Sequence, residues 1–297
     1  MIKIEKINNS YICFLKTPSI HIGDYYNYCL KLLKNYLQQI EKSVNIVLGP
    51  IDYDFDEDSK TIRIDIQCEH TLVKNGGRTV NEIIYGKIKD NNENYLIRID
   101  KFDYFNKLDY IIEYSKPNII NISTSNLFDN FYKKIIHIEP TIYDLNFEKN
   151  NRSKLITLLN KNSSERRFNL VNKLNSLNIG YENIDNVFNT EELLELYKKT
   201  KILINIHQTD HHHTVEELRI LPALQNGVII ISEDSPLKET IPYSNYIIWV
   251  KYDEIESKLN EINNNYESYF KNFFSDGNLK NILKEIDKNN FKNLKII

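Results

Sequence analysis

Four of the seven histidines stand at positions 207, 211, 212 and 213, inside the stretch INIHQTDHHHTVEELRILPALQNGVIIISE (204–233). An imidazole can ligate a metal, move a proton near neutral pH or hold an anion. Three neighbouring loop histidines cannot all face one tetrahedral ion, and no cysteine pair or His-Glu-x-x-His spacing accompanies them, so no metal is expected. Their position says more. The apolar run KILINI (201–206) ends just before His207, and Thr214 opens a helical pattern in which Glu217 completes a Ser/Thr-x-x-Glu capping box. A helix that starts at the carboxyl end of a buried strand offers free N–H groups and a positive dipole end to an anion such as a diphosphate. The capping box competes for those N–H groups, so either Glu217 caps the helix or Glu216 or Glu217 holds sugar hydroxyls. Pro222 removes the bond to the Leu218 carbonyl and predicts a bent helix, with Gly227 as its stop.

NSSERR (162–167) also follows an apolar run and opens a helix. Positive charge at a helix start opposes the dipole and needs a reason, which a bound anion would supply for Arg166 or Arg167. Arg219 stands at i,i+3 from Glu216 and is expected to pair with it. In the first half, SIHIGDYYN (19–27) offers His21 and Asp24 as general bases, with a helix cap as the equal alternative for Asp24. CEHTLVKNGGR (68–78) offers Glu69 and His70 as a second choice, followed by a flexible Gly76-Gly77 turn. The Asp-x-Asp spacings of DYDFDED (52–58) read as an acidic hairpin loop. No Walker A or Gly-x-Gly-x-x-Gly motif is present, which argues against a nucleoside triphosphatase or a classical dinucleotide site.

These residues need a scaffold, and its pattern is that of an α/β protein. In the first half, strands are predicted at 10–16, 44–48, 61–67, 94–100, 109–115, 118–123 and 133–140, with a helix over 25–40. The second half alternates more cleanly: strands at 154–160, 201–206, 227–232 and 246–250, helices at 163–178, 189–200 and 214–226, and helical text from Tyr252 onward. Continuous apolar strands between helices imply a parallel sheet covered on both faces. The boundary falls near 140–151, giving domains 1–148 and 149–297.

A net charge of -3 carries no general nucleic-acid footprint. No run approaches a membrane span, and the charged opening MIKIEKINN lacks the apolar core of a signal peptide. Cys13, Cys29 and Cys68 are odd in number and lack a Cys-x-x-Cys spacing, which suits a reducing, cytoplasmic compartment.

TKILINIHQTDHHHTVEELRILPALQNGVIIISEDSPLKE (200–239) resembles the donor-binding half of GT-B glycosyltransferases, most strongly over 154–255 and more weakly at QCEHTLVKNGGR and DYIIEYSKPNIINI. The resemblance implies two Rossmann-like domains facing a cleft, with the C-terminal helices packing back on the first. It implies transfer of a hexose or pentose from a nucleotide-sugar donor to a hydroxyl of a glycan or lipid-linked acceptor, with no cofactor and no obligatory metal. It would put Arg166 or Arg167 at the phosphates, and His207, His213 and Thr214 near the sugar or phosphate. The family's usual Glu five residues before the helix-ending Gly is replaced here by Pro222, so the ribose falls to Glu217 or Glu233. Two other functions fit the same text: a nucleotide-sugar epimerase, which needs no acceptor, and a non-catalytic glycan-binding module, which binds no nucleotide.

Overall fold

The computed structural model describes residues 1–297 except 56–59, 75–82, 91–92, 186 and 188, and gives the backbone course alone for 83–90 and 93–94. The Gly76-Gly77 turn and the end of the acidic 52–58 loop lie outside the described residues.

The first half comprises β1 (Ile2–Ile7), β2 (Ser10–Leu15), α1 (Gly23–Gln39), β3 (Asn45–Leu48), β4 (Thr61–Gln67), β5 (Leu72–Val73), β6 (Ile83–Asp90), β7 (Glu93–Arg98), α2 (Phe102–Phe105), β8 (Tyr110–Glu113), α3 (Lys116–Ile122), α4 (Asp129–Tyr132) and β9 (Ile135–His137). Its main sheet runs β1-β2-β3-β4-β8-β9, parallel from β2 to β9. The sheet adds its strands in chain order, so it contains no reversal of strand order. β1 was not expected from the sequence; it pairs antiparallel with β2 and leaves an edge carrying Lys3, Glu5 and Lys6, charges that discourage further pairing. β5, β7 and β6 form a small antiparallel sheet inserted between β4 and β8.

The second half comprises β10 (Lys154–Thr157), α5 (Glu165–Asn175), β11 (Tyr181–Asn183), α6 (Thr190–Lys199), β12 (Thr200–Asn205), α7 (Glu217–Gln225), β13 (Ile229–Glu233), β14 (Ile247–Val250), α8 (Ile255–Asn264), α9 (Tyr266–Phe274) and α10 (Asn278–Asn293). Its five strands are all parallel, in the order β11-β10-β12-β13-β14. The chain leaves β10 toward β11 and then returns to the other side of β10 for β12. That reversal opens a crevice at the carboxyl ends of β10 and β12, where sheets of this kind bind ligands.

Two predicted elements are corrected. Residues 118–123 lie in and just after helix α3, not in a strand: Pro117 sits in the first helical turn, where a missing N–H costs nothing, and Ile119 and Ile122 share the buried face. The capping box at Thr214 and Glu217 does not form. The helix begins three residues later, with Glu216 at its N-cap and no side-chain cap bond. The Thr214 hydroxyl is taken by Asn118 Oδ1, to which it donates (2.9 Å), and by the Leu72 N–H, from which it accepts (3.1 Å). Pro222 does lie inside the helix, and Gly227 ends it with φ +69°.

Each main sheet has its own apolar core. α8 and α9 stay with the second, through Ile255, Leu259, Ile262, Tyr266, Phe270 and Phe274. α10 crosses: Leu279, Leu283 and Ile286 join the second core and Leu294, just past its end, joins the first. Where it crosses, Asn290 accepts from the Glu139 N–H (2.9 Å) and donates to the Glu139 carbonyl (2.7 Å) and to Thr141 (3.1 Å).

Candidate functional site

Ser164 caps α5 by accepting from the Arg167 N–H (3.2 Å), which fixes Arg166 and Arg167 in the first turn at the mouth of the β10/β12 crevice. The two diverge. Arg166 grips Glu233, at the end of β13, through both terminal nitrogens, pairs with Asp210 at 2.7 Å, and lies 4.1 Å from the centre of the Tyr252 ring. Burial opposes the charge on Glu233, but His207 and Arg166 outweigh it and hold the carboxyl below its usual range. Arg167 is buried, reaches Glu216 at 3.2 Å, and its Nε finds no acceptor among the described residues. Burial lowers it to about 10 against the pull of Glu216, so it remains charged at neutral pH.

His207 follows β12 directly. Its N–H donates to Glu233 (3.0 Å) and its Nε2–H to the Asp234 carbonyl (2.9 Å), leaving a buried Nδ1 without a partner among the described residues. The 211–213 segment is pinned by the small sheet: the Lys74 N–H donates to the His211 carbonyl (2.8 Å) and the His213 N–H to the Leu72 carbonyl (3.0 Å). Arg98 donates to His212 Nε2 (3.0 Å), so His212 carries its proton on Nδ1 and gives it to Thr209 Oγ1 (2.7 Å). The His213 ring lies between those of His207 and Tyr95 and donates to the Asp210 carbonyl; burial lowers it to about 4, so it is neutral at pH 7. His211, His212 and His213 thus have three different surroundings.

Glu216 gathers charged and polar partners from both halves. Its carboxylate meets Arg167 (3.2 Å), Arg219 (3.5 Å) and, from the first half, His70 Nε2 (3.5 Å). Burial works against its charge, but Arg219, His70, Arg167 and His207 together outweigh it and hold it at about 2. Arg219 makes the expected i,i+3 pair and also donates to Asn205 Oδ1 at the end of β12 (2.8 Å). Burial lowers His70 to about 4 against the pull of Glu216, so the ring is neutral; its Nδ1 is buried without a partner among the described residues.

Glu217 turns away from this cluster. Fully buried, it accepts from the Tyr243 hydroxyl (2.5 Å), and burial raises it to about 7. Glu113, at the end of β8, and Glu139, after β9, are buried near it and raised by burial to about 8. None of this carboxyl group was singled out from sequence except Glu217.

The other first-half candidates lie elsewhere along α7. Asp24 sits in the first turn of α1 without capping it; it accepts from Thr190 Oγ1 of the second half and from Tyr143 OH (3.3 Å), which follows β9. Its helix-cap alternative is therefore not realised. Exposed His21 and half-buried Asp24 line a small cavity of about 70 Å³ with Tyr143, Tyr197, Leu218 and Pro222. Glu69 is half exposed and pairs with Arg98 at 3.5 Å. The structure therefore brings His70, Arg166, Arg167, His207, His213 and Glu233 into one neighbourhood, and leaves His21 and Asp24 at a neighbouring opening.

Fold and site define a mixed α/β protein whose two parallel sheets bring charged side chains together at their carboxyl ends. No family model matches the sequence. An uncharacterized protein of Acanthamoeba polyphaga mimivirus is 31% identical over 202 residues, 61% of this chain, and the chain spans 66% of that protein's length, just under two thirds. Two structures of the wall teichoic acid polymerase TagF superpose with TM-scores of 0.32 and 0.33 at 10% identity, over 88% of this chain and 76% and 75% of theirs. Superpositions this loose do not define a fold family. No helix among the described residues is long and apolar enough to cross a membrane.

Proposed function

We propose that the protein is a cytoplasmic glycosyltransferase of the GT-B type, with domains 1–148 and 149–297, that transfers a sugar from a nucleotide donor to a glycan or lipid-linked hydroxyl without a metal. One observation carries the reading. The carboxyl ends of two parallel sheets meet at the start of α7, where His70 of one lies 3.5 Å from Glu216 of the other, beside two arginines at a topological switch point. Arg166 and Arg167 would take the diphosphate, their charge favouring departure of the nucleotide. His207 and His213 would stand near the sugar, Thr214 would support the turn, and the acceptor would enter from the first half. Of the two ribose candidates, Glu233 is the better supported, because Glu217 is buried against Tyr243.

The test is thermal stability against UDP-, GDP-, dTDP- and CMP-sugars. A ligand at one hundred times its Kd stabilises by about 2.7 kcal/mol. One nucleotide class should raise the melting temperature, and replacing Arg166 and Arg167 together by Ala should remove most of the rise. No shift with any nucleotide sugar overturns the reading. Epimerised donor in the absence of acceptor would favour the epimerase instead.

A further inference from the structure

We propose that His70 is the catalytic base and that Glu216, from the opposite half, is the positioning residue that orients it; this rests on the transferase reading above. An ionised carboxylate only accepts hydrogen bonds, so the His70 nitrogen facing Glu216 at 3.5 Å, Nε2, carries the proton. Nδ1 then holds the free lone pair, and it is the atom left without a partner among the described residues. Glu216 is fixed for this task by Arg167 and Arg219, which keep it charged. The other groups acting on the ring are Arg98 from β7, His207 after β12, Arg167 from α5, and His212, whose ring meets it edge-on at 5.2 Å.

The other candidates serve less well. Both oxygens of Asp24 accept from hydroxyls, Glu69 is turned to Arg98, and His21 is exposed at the neighbouring cavity. In the step itself, the acceptor hydroxyl gives its proton to His70 Nδ1 as its oxygen bonds the anomeric carbon. The bond from that carbon to the phosphate oxygen breaks, and its electron pair leaves with the nucleoside diphosphate toward Arg166 and Arg167. The imidazolium so formed is stabilised by Glu216, which stays ionised, and later returns the proton to water. Because Nδ1 is buried, the acceptor reaches it only after a local opening of the site.

Two readouts decide the proposal. In the full-length wild-type protein, nitrogen NMR of the His70 ring should show the Nε2–H tautomer at neutral pH; the Nδ1–H tautomer overturns the pairing without any assay of activity. In the transfer assay, His70→Gln should lower kcat about 10²- to 10⁴-fold while the donor-induced thermal shift persists. Glu216→Gln should move the acid limb of the kcat profile to lower pH, because the carboxylate no longer favours the imidazolium, and Glu216→Asp should bring it part of the way back. An unmoved limb, or wild-type kcat in His70→Gln, overturns the assignment. Absence of a donor-induced shift in the wild type overturns the transferase reading alone, since the NMR result still decides the pairing.

Discussion

Arg166 and Glu233 meet in a two-pronged pair at the carboxyl edge of the second sheet, with the Tyr252 ring against the guanidinium and the Tyr252 hydroxyl donating to the Arg166 carbonyl (2.8 Å). Their side chains are only 13% and 12% exposed, so the pair belongs with buried rather than surface ion pairs. Breaking a buried pair from one side costs about 3–5 kcal/mol. Arg166→Met should fall toward the lower end of that range in urea unfolding, since Asp210 on its other side is exposed. Adding Glu233→Gln should recover a large part of the loss. A cost below about 1 kcal/mol would reduce the pair to a surface contact.

The buried carboxyls predict an unusual alkaline slope. Glu113, Glu139 and Glu217 hold their protons more tightly folded than unfolded, at about 8, 8 and 7 against an ordinary 4.5. Their contribution to stability is therefore complete below 4.5 and is lost as pH rises through the folded values. His70, His137 and His213 act on the other side: lowered to about 4 from 6.5, they lose stability as pH falls below 6.5. Between pH 6.5 and 8 the carboxyls act with little opposition from these histidines, and the melting temperature should fall. Glu113→Gln, which imitates the protonated form, should flatten that fall; an unchanged slope would show that Glu113 is ionised in the folded protein.

Gly227 ends α7 with φ +69°, and a methyl group there would stand 3.0 Å from Arg152 Nη2 and 3.2 Å from the Asn146 carbonyl. Arg152 is itself committed, donating to the carbonyls of Glu148 (2.7 Å), Tyr197 (2.8 Å), Thr200 (2.9 Å) and Asn226. Gly227→Ala should cost about 1–2 kcal/mol from the backbone alone, and more where Arg152 is displaced. Gly180→Ala, also at positive φ but with open space around it, is the control for the steric part. Equal losses at the two positions in urea unfolding would remove Arg152 from the explanation.

Four strands of the second sheet were legible because they are short apolar runs separated by capped helices, as at Ser164 and Asn189, whereas β11, Tyr-Glu-Asn, is no apolar run and was not expected. The first half was harder. Residues 118–123 carry isoleucines that fit either period, and only Pro117 in the first turn betrays the helix. Thr214 and Glu217 have the residue types of a capping box, yet Asn118, distant in the chain, takes the hydroxyl instead. The same limit hid a pairing: His70 and Glu216 each stand out only within their own segments, and the folding of one half against the other joins them. Glu113 in YIIEY likewise reads as the exposed position of a strand, and nothing local marks it as buried.

The chain passes between the halves twice, once near Thr141 and again along α10, and the two passages touch at Asn290. A body tethered at two neighbouring points can swing about them but cannot slide away. Any parting of His70 from Glu216 would therefore turn about Asn290, and the same swing would reshape the opening beside Asp24.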